Sequence, residues 1–193
     1  MQFIPYKEFL DEVRSAGVAA NQSGGQVMFT LTSADGALQP ARVRIGSGSA
    51  PGASEQDDRS VVSSAERLPE LIERLFHKAR VAEVAVAPAQ AWRNILDVAL
   101  YDLAQDEDWL TVDAEASLHQ NGRDPLLLAS SEYQVLRLLA GAVLKNGQGD
   151  NSRDFTAVAP GSPMVVEFHA AGFAVVWCAS EAVADEVAAA LAT

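Results

Sequence analysis

Apolar residues follow two rhythms along this chain. The clearest is helical: Leu68, Leu71, Ile72, Leu75, Phe76 and Ala79 fall at i, i+3, i+4, i+7, i+8 and i+11, a single stripe at about 3.6 residues per turn. Glu70 and Arg74 make an i,i+4 pair on the opposite side. Ser63 and Glu66 have capping-box spacing, but Pro69 would then break the ladder from inside. The helix is therefore expected to begin at or just before Pro69. The same rhythm predicts a helix over 5–15, with Phe9, Leu10 and Val13 inward and Gly17 as its stop. It recurs over about 89–105, with Trp92, Ile95, Leu96, Ala99 and Leu103 inward. It recurs again over 131–145, with Val135, Leu138, Leu139, Ala142 and Val143, ending at Gly147. Glu181 to Leu191 closes the series, with acids in its first turns where the helix dipole favours them.

The second rhythm is that of strands. Gln26–Ser33 and Arg42–Ile45 alternate enough to be strands, and Ala34-Asp35-Gly36 between them suggests a hairpin or meander. Val81–Ala87 and Trp109–Glu115 are short apolar or β-branched runs. Met164–Ala179 reads as a hairpin turning at Ala171-Gly172, which sets His169 opposite Ala174, Glu167 opposite Val176 and Val165 opposite Cys178. In that register Phe173 avoids the face carrying Glu167 and His169, as burial would favour. The expected fold is α+β: a mainly antiparallel sheet with helices packed largely on one face. The helix–strand alternation from 68 to 115 could add a parallel pair and make the sheet mixed. The faint echo of Val84-Ala85-Val86-Ala87-Pro88 in Thr156-Ala157-Val158-Ala159-Pro160 is cheap in an Ala/Val-rich chain and supports no duplication.

Size and composition narrow the class. A chain of 193 residues, 49% apolar and 21% charged, suits one globular domain that buries about 70% of its extended surface. A Gly/Ser/Pro-rich stretch at about 46–60 reads as a flexible surface loop. Its glycines follow a strand as a phosphate loop's would, but no helix N-terminus and no Lys-Ser/Thr pair follows them. Eleven Arg against three Lys, with 34 Ala and four Ile, is the bias of a G+C-rich, bacterial-like genome. The N-terminal residues lack the order of a signal peptide, and no run has membrane-helix length. A cytoplasmic protein is expected, with no membrane partner. A net charge of −12 argues against nucleic acid, whose recognition rests on Lys and Arg.

Candidate chemistry is sparse. The single cysteine, Cys178, excludes an internal disulfide and any Cys-based zinc site. It lies about 13 Å along the expected hairpin from the position facing His169. It therefore reads as a small apolar residue rather than a nucleophile. His77, His119 and His169 show no metal-ligand spacing, and no cofactor or metal is expected. His119 with Asp113 and Glu115 is the one acid–base constellation, the basis of a small hydrolase or isomerase reading.

Charge is distributed unevenly. Between Asn94 and Gly122 there are seven acids and no Lys or Arg, and 154–193 carries five more acids unopposed. Asp106, Glu107 and Asp108 stand where a helix ends and cations are preferred. Together with Asp102, Trp109, Asp113 and Glu115 they make an acidic rim around an aromatic anchor, suited to a basic protein surface. The preferred expectation is a non-enzymatic binding or regulatory module engaging a basic partner through 97–115. Homodimerisation is compatible with either reading.

Overall fold

The computed structural model describes residues 1–32, 40–46, 59–104, 119, 122–147 and 150–192. In chain order the elements are β1 (Gln2–Phe3), α1 (Tyr6–Ser15), β2 (Val18–Ser23), β3 (Gln26–Leu31), β4 (Ala41–Gly46) and β5 (Arg59–Val61). Next come α2 (Leu68–Lys78), β6 (Glu83–Pro88), α3 (Trp92–Leu103), β7 (Leu126–Ala129) and α4 (Tyr133–Asn146). The chain ends with β8 (Phe155–Val158), β9 (Met164–His169), β10 (Phe173–Cys178) and α5 (Glu181–Ala192). Eight strands form one sheet in the order β1-β7-β6-β8-β9-β10-β4-β5, while β2 and β3 pair apart from it. The fold is α+β with a mixed, mostly antiparallel sheet.

One face of the large sheet packs against α2–α5. The α2 stripe of Leu68, Leu71, Ile72, Leu75 and Phe76 meets Val43, Ile45, Val84, Val86, Val166 and Phe168, all buried. Pro69 lies in the first turn of α2, where its missing N–H costs nothing, and a 3₁₀ turn at Ala65–Arg67 precedes it. The other face is covered at β6, β8 and β9 by α1 and the β2–β3 hairpin. There Phe9, Val13, Val18, Val27, Phe29 and Leu31 pack on Ala85, Ala87, Val158 and Val165. The small Ala85 and Ala87 let this second layer approach closely.

Three expectations need correction. β3 and Arg42–Ile45 do not form a hairpin, because β3 pairs antiparallel with β2 and β4 pairs with β10. Gly24 and Gly25, at φ +58° and +83°, make the β2–β3 turn and so fix the partner of β3. Among the described residues the parallel pair is β4–β5, and β6, the one described strand of 68–115, has antiparallel neighbours on both sides. The β9–β10 register is also one residue from the expected one: His169 faces Phe173, Glu167 faces Val175 and Val165 faces Trp177. The loop holds three residues, closed by Gly172 N–H donating to the His169 carbonyl at 3.0 Å, with Gly172 at φ +97°. The expected strand at Trp109–Glu115 and the flexible loop at about 46–60 lie outside the described residues, apart from Gly46, Arg59 and Ser60.

Candidate functional site

The corrected register gathers polar and aromatic side chains on the sheet face away from α2–α5. His169 of β9 lies against Asp154, Nδ1 to Oδ2 at 3.1 Å, and its Nε2 is 3.9 Å from Glu167 Oε2. Asp154 Oδ1 accepts the Ala170 N–H at 2.9 Å, so one carboxylate holds both the ring and the turn. Burial alone would favour the neutral ring, but the carboxylates of Asp154 and Glu167 overcome it and raise the His169 pKa to about 9. At neutral pH His169 is therefore an imidazolium between two carboxylates. Its ring stacks on Phe173 at 4.3 Å, and the Arg44 guanidinium lies 4.9 Å from the same Phe173 ring. Farther along the ladder Arg42 lies over Trp177 at 5.9 Å. A crevice of about 80 Å³ opens beside His169, lined by Gln26, Met28, Asp154, Thr156 and Glu167 among others. That volume is far below the 300–1,000 Å³ of a typical ligand pocket.

Of the residues expected from sequence to carry function, His119 has a described side chain. Its Nδ1 lies 3.0 Å from Asp124 Oδ2, and its ring stacks on Phe3 at 4.4 Å. Asp124 also accepts the Tyr6 N–H through Oδ1 and the Trp92 indole N–H through its carbonyl, at 2.9 and 2.7 Å. Burial pushes the Tyr6 phenol up, with Arg123 opposing. His119 is thus a docked, partly buried side chain rather than part of a solvated turn. Asp102 sits in the last turn of α3. Asp106, Glu107, Asp108, Trp109, Asp113 and Glu115 lie outside the described residues.

Cys178 faces Met164 on the helix-covered side, at the opposite end of the hairpin from His169. Burial lifts its thiol to about 11, against the weaker pull of Arg59. It lines a cavity of about 450 Å³ with Leu75, Met164, Val183 and Val187. Among the described residues, no group of His, Cys, Asp and Glu is arranged to hold a metal ion, and no helix is long and apolar enough to cross a membrane. Sequence reasoning missed Asp154–His169–Glu167. The available signal was Glu167-x-His169, whose side chains share one strand face, but Asp154 lies just before β8 and has no local cue. In comparisons with known proteins, no family model, curated protein or solved structure matches this chain.

Proposed function

We propose that this protein is a non-enzymatic binding module that engages a basic protein partner through its acidic 97–115 segment. The observation that carries this reading is the charge partition: seven acids and no Lys or Arg between Asn94 and Gly122. Such a density attracts a cationic surface over about a Debye length and accelerates encounter. Two packed anchors bracket the stretch. Leu103, at the end of α3, is buried in the main core, and His119 is held by Asp124 and Phe3. Asp97 stands exposed on α3, opposite the buried Trp92, Ile95, Leu96 and Ala99. We place the protein in the cytoplasm, where a single free thiol suits the reducing conditions. Neutralising Asp106, Glu107, Asp108 and Asp113 together, as Asn and Gln, should abolish a salt-sensitive interaction in a pull-down from the native cell. Unchanged recovery of the partner would overturn the proposal.

A second reading, a small hydrolase or isomerase using Asp113, Glu115 and His119, has one observation in its favour. A carboxylate on His119 Nδ1 is the arrangement that orients an imidazole for proton transfer at Nε2. Turnover of an ester and phosphoester panel that falls in His119→Gln would support it; equal turnover in both proteins would remove it.

A further inference from the structure

We propose that the face of β4 and β10 away from the helices binds an oxyanion, a carboxylate or phosphate group, through the side-on fork of Arg44, with the Trp177 indole N–H as a further donor.

Three nitrogens on this face, Arg44 Nε, Arg44 Nη2 and Trp177 Nε1, are buried and have no hydrogen-bond partner. Buried donors are nearly always satisfied, and a charged one left without an acceptor is especially costly. Nε and Nη2 are the guanidinium nitrogens whose N–H bonds run parallel, the edge that matches two oxygens of a carboxylate or phosphate. An indole N–H donates only, so all three groups ask for the same kind of partner: an acceptor, and for Arg44 an anionic one.

The ladder brings the donors together. Trp177 pairs directly with Arg42 and Val175 with Arg44, which makes Trp177 the diagonal neighbour of Arg44. Diagonal positions are about 7–8 Å apart, within reach of long and aromatic side chains. Phe173 supports the guanidinium at 4.9 Å and restrains its plane. Both Arg44 and Trp177 are partly exposed as whole side chains, which leaves a ligand an approach. Asp154 and Glu167, at the His169 end of this face, share one imidazolium between them, which offsets part of their charge. Arg42 lies over the Trp177 ring at 5.9 Å, two residues from Arg44 on the same strand face.

The test uses the full-length ¹⁵N-labelled protein. Inorganic phosphate or acetate is titrated at constant ionic strength, with sodium chloride as the balancing salt. The Arg44 Nε–H and Trp177 indole resonances are followed by NMR. Saturable shifts of both are expected with at least one of the two oxyanions, and which one responds identifies the ligand class. Arg44→Lys keeps the charge but loses the fork, and should raise Kd about tenfold or more. Trp177→Phe should raise it severalfold. The amide fingerprint of each variant reports on its fold, and Arg44→Gln replaces Arg44→Lys should the latter unfold. The proposal is overturned if neither oxyanion gives a saturable shift in the millimolar range, if chloride alone reproduces the shifts, or if the fork variant binds as tightly as the native protein.

Discussion

Replacing His169 by Gln tests whether the Asp154–His169–Glu167 cluster holds the β9–β10 turn by charge. The folded pKa is about 9 against an ordinary 6.5. The imidazolium is therefore favoured by folding, and its contribution is fully present below about pH 6. A shift of that size corresponds to about 3 kcal/mol, falling to about 0.4 kcal/mol at pH 9 as the ring loses its proton in the folded state. The sign follows from a raised pKa: stability is lost as pH rises, not as it falls. His169→Gln removes the cation and leaves two carboxylates, 14% and 15% exposed, to repel each other. Urea unfolding of both proteins from pH 6 to pH 9.5 isolates the effect, since other titrating groups are common to both. The native protein should lead the variant by about 3 kcal/mol at pH 6, and the gap should close towards pH 9.5. Parallel stability curves across that range would refute an ion-paired His169.

Four further outcomes follow from the packing. Gly46→Ala should destabilise by about 2–4 kcal/mol in thermal or urea unfolding, because Gly46 sits at φ +111° and its Cβ would lie 2.6 Å from the Gly172 carbonyl oxygen. Gly24→Ala, at φ +58° with open space around it, should cost about 1–2 kcal/mol by the same measurement, so the order of the two is the check. Trp92→Phe should lose about 1–3 kcal/mol, since it removes the 2.7 Å bond that the buried Trp92 indole donates to the Asp124 carbonyl. Cys178, buried and with its thiol lifted to about 11, should react with a thiol reagent at neutral pH only after denaturant is added; fast labelling of the folded protein would contradict its packing.

The helices were legible because each buries one stripe. In α2 five of the six residues at helical spacing are buried, Ala79 standing exposed just past the helix end, and in α4 Val135, Leu139, Ala142 and Val143 are buried while Leu138 is partly so. β4 alternates in burial, but β6 and β8 give no such signal, because the sheet is covered on both faces there. Val84, Ala85, Val86 and Ala87 are all buried, so alternation, the basis for assigning register, is erased there. The hairpin error has the same origin. A rule that keeps Phe173 away from Glu167 and His169 assumes that one face is wet and that charges on it are solvated. Here the charges are compensated within the protein, and Phe173 serves as the surface on which His169 stacks. The decisive residue, Asp154, precedes β8 and reaches the β9–β10 turn by tertiary folding alone. Ion pairs of this kind reconcile a titratable side chain with an apolar neighbourhood, so a register deduced from hydrophobicity fails most readily where such a pair forms.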